Sequence, residues 1–377
     1  AYYLDTRSSA DPFVQLECLI KQSSMTAPHT AANPTVLCLG YDLKNLIETL
    51  PMPKPSLQRV PDLYATDYWQ NFSLRASRAG QLQDSILRCL SSSLTTDTCG
   101  ADALQASMTR QQYIGAVRRS LDYIFAGDIY QVNIAQRFTF PFTGSSWELF
   151  KRLYCLNPAQ FSLFIRAREF DLIVCSPERL LKRSGTVLET RPIKGTRPRG
   201  ETPQRDRDNL RELLLSQKEK AELIMITDLH RNDLGKVSQY GMVNVVSKRH
   251  VHRMRNVFHT ESIIRSVIRQ DVSLSNLLKA LFPGGSVTGC PKLRAIEIID
   301  ELEPQARQFY TGAVGIINSE DDLDMAMTIR CITFHRATGL AWFDIGSGIV
   351  AESDPESEYE ETLDKAQSVF DVLGVKR

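Results

Sequence analysis

The chemistry available to this 377-residue chain rests on cations and carboxylates in unusual company. Arg191-Pro-Ile-Lys194-Gly-Thr-Arg197-Pro-Arg199 sets four cations in nine residues around a Gly-Thr turn. Crowding by like charge disfavours an ammonium, which is one route to a nucleophilic amine at Lys194. A solvated basic loop has the same composition. Glu222 has Met225, Ile226 and Leu229 at i+3, i+4 and i+7, so it lies on an apolar helical face. A carboxylate buried there needs a cation, a metal or a proton. Glu358, Glu361 and Lys365 share another helical face, offset from Leu363, Ala366, Phe370 and Leu373. Sequence-distant glutamates without a matching His/Cys set suit a hard, oxygen-seeking ion such as Mg²⁺. A solvated acidic helix would read the same way.

Three further features bind anions in other proteins. Arg330 reads as a mid-strand residue sharing a face with Thr328 and Ile332, either an ion-pair partner or a bidentate carboxylate clamp. Gly346-Ser-Gly348 follows a strand pattern and can offer backbone N–H groups. Phe282-Pro-Gly-Gly-Ser-Val-Thr288-Gly-Cys-Pro-Lys292 precedes a helical pattern, as an anion cradle or a structural turn would. It is not a Walker loop, because Gly289 is followed by Cys-Pro. His259 stands alone, which by itself is more often structural than catalytic.

The elements that carry these residues are legible in part. Thr109-Arg-Gln-Gln112 is a capping-box signature, followed by Tyr113, Val117, Leu121 and Ile124 at helical spacing. Segments 161–165 with 171–175, and 180–182 with 186–189, read as antiparallel hairpins. Ser216-Gln-Lys-Glu219 is a second capping box, opening a helix through Asp228. Segment 323–334 alternates as one strand, with 339–345 as its partner. Asp354-Pro355 opens a C-terminal helix. The polar stretch 91–100 reads as a linker. Hairpins mixed with long helices predict an α+β fold with a mainly antiparallel sheet.

Composition sets outer limits. Apolar residues make up 42% and charged residues 24%, which excludes a disordered, collagen-like or coiled-coil chain. Net charge is +1, from 45 basic and 44 acidic residues, so neither nucleic acid nor a membrane surface is an expected partner. No apolar run approaches the ~20 residues of a membrane span. The opening Ala1-Tyr-Tyr-Leu-Asp-Thr-Arg7 lacks the basic and apolar parts of a signal peptide. Eight cysteines without C-x-x-C spacing read as reduced thiols in the cytoplasm.

In order along the chain, the motifs resemble those of the chorismate-utilising enzymes, the family of anthranilate synthase component I. They are Gly127-Asp-Ile-Tyr-Gln-Val-Asn-Ile-Ala-Gln136, Ser176-Pro-Glu-Arg179, Pro192-Ile-Lys-Gly-Thr196, Ala221-Glu-Leu-Ile-Met225 and Asp228-Leu-His-Arg-Asn-Asp233. Pro283-Gly-Gly-Ser-Val-Thr-Gly-Cys-Pro-Lys292, Ile296-Glu-Ile-Ile-Asp-Glu-Leu-Glu303, Gly346-Ser-Gly-Ile-Val350 and Glu358-Tyr-Glu-Glu-Thr362 complete the set, which spans 108–370. Gly-Cys-Pro-Lys replaces the family's Gly-Ala-Pro-Lys. Relatives that make anthranilate usually carry Ala where Lys194 stands, and those that add water carry Lys where Gln131 stands. The resemblance is therefore greatest to the branch that aminates chorismate at C4, the aminodeoxychorismate synthases, with anthranilate synthase as the alternative.

The resemblance implies antiparallel sheets packed together with helices outside. It implies a partial N-terminal region at 1–105, lacking its first several dozen residues, and a chorismate-binding catalytic domain at 106–377. Glu222 and Glu361 would hold Mg²⁺ on the ring carboxylate, supported by Glu358 and Lys365. Arg330 and Tyr310 would meet the enolpyruvyl carboxylate, with Thr288 and the backbone of Gly346 and Gly348 completing the substrate site. Lys194 would attack C2 while Glu178 protonates the departing C4 hydroxyl, and ammonia would then enter at C4 and expel the lysine from C2. His259, matching the family's His-x-x-Ser with Ser262, joins the catalytic set. The chain carries no Gly-x-Cys-x-Gly nucleophile motif, so ammonia is expected from a partner glutamine amidotransferase.

Overall fold

Successive side chains of a strand point to opposite faces, and several strands here are apolar on both. The computed structural model describes residues 2–4, 11–26, 34–48, 50, 54, 60–67, 104–254 and 256–375. The expected linker at 91–100 lies outside these residues. In β2 (Thr35–Leu39), Val36 and Cys38 enter one core, and Leu37 and Leu39 another. In β7 (Phe170–Ser176), Phe170, Leu172 and Val174 point one way, and Ile173 and Cys175 the other. Strands buried on both faces belong in a layered structure.

Two antiparallel sheets form the layers. The first runs β1 (Tyr2–Leu4), β3 (Leu63–Asp67), β2, β14 (Ala313–Ser319), β15 (Asp322–Met327), β8 (Arg179–Ser184), β9 (Val187–Arg191), β12 (Val257–Val267) and β10 (Ile193–Pro198). Strand β11 (Asn244–Arg253) also pairs with β12. The second runs β13 (Gly289–Cys290), β5 (Gln131–Pro141), β17 (Leu340–Ile349), β16 (Cys331–His335), β7 and β6 (Phe161–Arg166), with β4 (Gln105–Ala106) on β5. Their inner faces share one core, in which Val36, Cys38, Tyr64 and Val314 meet Ala135, Leu172, Val174 and Cys331. Helices cover the outside. Phe370 of the Pro355–Leu373 helix packs on Phe138 and Phe343, and Phe13 and Leu16 of the Pro12–Thr26 helix pack near Leu37 and Leu39. This is the α+β architecture read from the sequence.

Local signals place most element ends. Thr109 and Gln112 form a reciprocal capping box at the Arg110–Phe125 helix. Ser216 caps the Gln217–Gly235 helix, which continues past Asp228. Asp354 caps the last helix, and Gly374 ends it at φ 71°. Both expected hairpins form, as β6–β7 and β8–β9.

One expectation fails. Segment 323–334 is two strands, β15 in the first sheet and β16 in the second. Arg330 lies between them at φ 51°, so it neither sits mid-strand nor shares a strand face with Thr328 and Ile332. Apolar alternation runs through the break because both strands are buried, and periodicity carries no label for which sheet a strand joins. A second crossing, Pro177-Glu178, leads from β7 to β8. The crossings bond to each other: Met327 N–H donates to the Glu178 carbonyl (3.0 Å), and Cys175 N–H to that of Arg330 (3.1 Å). Among the described residues, no helix is long and apolar enough to cross a membrane.

Candidate active site

Where the chain passes between the sheets, a cavity of about 590 Å³ opens. Lys194 enters it from β10, not from a solvated loop. The β10–β12 register shifts between Lys194 and Thr196, with Gly195 at φ 85°. Such a bulge re-aims the neighbouring side chain. A Cβ on Gly195 would also stand 2.9 Å from both Glu219 and Leu213, so glycine is needed twice over. The Lys194 side chain is 16% exposed, and its Nζ lies 3.8 Å from Glu222 Oε2. Arg197, on the same strand, grips Glu212 (2.8 Å) and Glu219 (3.1 Å). It thereby pins the corner between the Pro203–Leu215 and Gln217–Gly235 helices against β10, which holds Glu222 opposite Lys194.

The carboxylates differ in environment. Burial raises the Glu222 pKa, with the Lys194 and Lys218 ammonium groups opposing and Glu219 and Glu361 adding to it. Burial also pushes on Glu361, but Lys365 at 2.7 Å outweighs it and holds that carboxyl below its ordinary range. Lys365 donates in turn to the Gly346 carbonyl (3.0 Å). Glu358 accepts from Ser353 Oγ (2.6 Å), and its buried Oε2 has no partner among the described residues. Glu222, Glu358 and Glu361 all line the cavity. Among the described residues, no three His, Cys, Asp or Glu side chains converge to enclose a metal by themselves. Oxygen donors and an unpartnered carboxylate oxygen fit a hard divalent ion of the kind that takes one or two carboxylates, water and ligand oxygens.

Glu178, at the β7–β8 crossing, is buried, and its Oε1 has no hydrogen-bond partner among the described residues. Burial pushes its pKa up to about 7, opposed by Ser286 and Lys194. It is therefore part-protonated near neutrality, as a general acid must be. Arg330, at the other crossing, has no carboxylate within ion-pair distance among the described residues, and burial lowers its pKa. A desolvated guanidinium without an anion fits a ligand carboxylate. Tyr310 lines the same wall, its phenol pushed up by burial. His259 faces Thr196 across β10–β12, with Nδ1 2.8 Å from Thr196 Oγ1. Burial, with Arg330 nearby, pushes it down to about 4, so the ring is neutral at pH 7.

Two expectations change at the glycines and Thr288. Gly346, Ser347 and Gly348 lie inside β17, opposite Ala135, Ile134 and Asn133, rather than in a loop after it. Their contribution is space. A Cβ on Gly346 would sit 2.5 Å from Asn133 Oδ1 and 3.0 Å from the Tyr310 hydroxyl, and one on Gly348 would sit 3.3 Å from Lys194 Nζ. Thr288 does not line the cavity. Its hydroxyl donates to the carbonyls of Gly284 (3.0 Å) and Gly285 (3.3 Å), the second of which also accepts the Thr288 N–H (3.4 Å). The cradle reading fails at Lys292 as well, which is buried against Asp233 at 2.5 Å. Ser286 and Val287 face the cavity instead.

Sequence reasoning missed Asn133, whose side-chain oxygen at the cavity has no partner among the described residues, and Ser286, whose hydroxyl stands beside Glu178. The available signal at Asn133 was a polar residue within the apolar run Val132–Ile134 of β5. At Ser286 there was none beyond the motif itself.

The chorismate-binding enzyme family matches residues 5–371, extending well before the 108–370 stretch marked by motifs. The chain belongs to this family. Aminodeoxychorismate synthase component 1 of Escherichia coli (strain K12) is 35% identical over 98% of this chain and 84% of its own length. Anthranilate synthase component 1 of Thermus thermophilus is 41% identical over 72% of this chain and 58% of its own. The crystal structure of anthranilate synthase component I from Streptococcus pneumoniae TIGR4 matches with TM-score 0.82 at 26% identity, covering 97% of this chain and 88% of that one.

Proposed function

We propose that this protein aminates chorismate at C4, giving 4-amino-4-deoxychorismate for para-aminobenzoate and folate biosynthesis in the cytoplasm. Ammonia would come from a partner glutamine amidotransferase, the second component of the synthase. The observation that carries this reading is the Lys194 amine inside the cavity, in company with a glutamic acid poised near 7. The amine bonds to C2, the ring double bonds shift, and the C4 hydroxyl leaves as water with the Glu178 proton. Ammonia then bonds to C4 and returns a proton to Glu178, the double bonds shift back, and the lysine amine departs. Two displacements replace one difficult substitution. Arg330 and Tyr310 take the enolpyruvyl carboxylate, Gly346 and Gly348 leave it room, and neutral His259 orients the wall beside Arg330. Glu222 and Glu361, supported by Glu358 and Lys365, would hold Mg²⁺, which supplies positive charge against the ring carboxylate.

The 41% identity to an anthranilate synthase favours a second reading, amination at C2 with loss of pyruvate. One experiment separates the two. The protein is mixed with chorismate, Mg²⁺ and an ammonium salt at alkaline pH, and the product is identified. An amine that retains the enolpyruvyl group supports C4 amination. Anthranilate with pyruvate establishes the second reading, and no turnover removes both. Glutamine should serve only after the partner subunit is added, and excess chelator should stop the reaction.

A further inference from the structure

Among the described residues, three non-glycine positions hold positive φ in the left-handed region: Gln308 (54°), Thr311 (57°) and Arg330 (51°). All belong to the wall that carries Tyr310 and Arg330. Gln308 and Thr311 flank Tyr310, and Thr311 N–H donates to the carbonyl of Thr328, two residues before Arg330 (2.8 Å). A β-branched residue at such φ is an outlier, and strain of this kind persists only where the surroundings over-determine it.

Three sets of contacts hold the turn. Arg137 of β5, paired bidentately with Asp344 (2.9 and 3.1 Å), donates to the carbonyls of Ala306 (2.9 Å) and Arg307 (3.2 Å). Arg307, buried against Glu303, donates to the carbonyls of Asn133 (2.7 Å) and Val287 (3.0 Å). The third set comes from the loop that follows β2. Tyr41 N–H donates to the Gln308 carbonyl (2.6 Å), and Gln308 N–H donates to Asp42 Oδ2 (3.0 Å). Both backbone polar groups of the strained residue are thus satisfied by loop 40–42, which does not itself line the cavity.

We propose that loop 40–42 is a latch: Asp42 holds Gln308 in its left-handed conformation and so fixes Tyr310, making Asp42 a positioning residue for substrate outside the cavity. This rests on the reading that Tyr310 and Arg330 take the carboxylate of chorismate. The mechanism is geometric. Without an acceptor, the Gln308 N–H is left buried and unpaired, the turn relaxes toward ordinary φ, and the phenol leaves its place on the wall. The loop after β2 of the first sheet thereby contributes to substrate affinity as well as to packing.

The test uses Asp42→Ala and Asp42→Asn in the full chain. Asp42→Ala should raise the KM for chorismate roughly 5- to 20-fold, the effect of a buried N–H losing its acceptor, with kcat and the KM for ammonia unchanged. Asp42→Asn keeps an oxygen acceptor and should behave as wild type. Amide hydrogen exchange over 306–311 should accelerate in Asp42→Ala alone. Unchanged exchange there, or equal KM values in Asp42→Ala and wild type, would overturn the latch. Equal losses in both variants would also overturn it, since the acceptor would then not matter. If wild type binds no chorismate, the functional reading fails, while exchange still decides the latch. Should Asp42→Ala not fold, Asp42→Glu displaces the acceptor by one methylene and is expected to give the same KM split and the same faster exchange.

Discussion

Lys194 and Arg330 reach the same cavity from different kinds of backbone. Lys194 stands on β10, at a glycine bulge, with a capped helix presenting Glu222 opposite it. Arg330 stands on a three-residue crossing between sheets, in a left-handed conformation, bonded to a second crossing and near a strained turn. The first wall uses regular elements, whose geometry follows from local hydrogen bonding. The second is held by buried arginine pairs and by a loop distant in sequence. A wall of regular elements can tolerate the loss of one contact. A wall of strained backbone depends on all of its supports together, so it is the place where distant residues gain influence over binding.

On the proposed function, the Lys194 wall makes bonds and the Arg330 wall binds substrate, and the largest expected effect tests the first half. Lys194→Ala should lower kcat by at least about 10³-fold, as removal of a nucleophile does, and Lys194→Arg should not rescue it, because a guanidinium remains protonated. Initial rates and intact-protein mass spectra during turnover measure this. Near-wild-type rates in both variants would return Lys194 to electrostatics. On the other wall, Arg330→Ala should act on KM. Truncating one partner of a desolvated charge pair costs about 2–5 kcal/mol, so chorismate KM should rise roughly 30-fold or more, with Arg330→Lys intermediate for want of the planar fork. A fall in kcat at constant KM would break the division between the walls.

Glu178 gives a smaller and pH-dependent effect. Its carboxyl is raised from 4.5 to about 7 in the folded protein, so the stability of its neutral form is fully present below 4.5 and is lost as pH rises through about 7. At pH 8, Glu178→Gln should therefore unfold at higher urea than wild type, by roughly 2–4 kcal/mol of stability. At pH 4 the two should coincide, and throughout the range the variant should be catalytically impaired. In wild type, kcat/KM for chorismate should fall as pH rises through about 7 when free ammonia is held constant. The smallest effect belongs to the regular wall. Ser216→Ala removes the cap of the helix that carries Glu222 and should cost about 1 kcal/mol, seen in chemical unfolding, while kcat stays unchanged. A large loss of activity there would show that the regular wall is as interdependent as the strained one.

The difference between the walls is also a difference in legibility. The capping box at Thr109, the cap at Ser216 (without the reciprocal bond, since the Glu219 side chain pairs with Arg197), the hairpins and the C-terminal helix were readable because their energies are local. Glu222 was readable as a buried carboxylate, since its apolar neighbours recur at helical spacing. Arg330 was assigned to the wrong backbone, because alternation continues across a change of sheet. Thr288 was misread because a threonine in a glycine-rich turn serves a ligand or its own backbone equally well, and only the fold shows which. Gly346 and Gly348 were expected to follow a strand, whereas they lie within β17, where their missing side chains also leave room in the cavity.

The sequence alone determined the inventory: the reactive types of side chain, the helices and hairpins that carry most of them, and the family to which their order belongs. These follow from backbone preferences and burial periods that act over a few residues. Tertiary structure decided which of those groups share one cavity and in what state. Lys194 meets Glu222, Glu178 loses enough water to stand near 7, and His259 is pushed down to about 4, because separate strands and helices exclude solvent around them. The left-handed backbone at Gln308, Thr311 and Arg330 also belongs to the tertiary structure, since no local preference selects it and the surrounding pairs alone hold it.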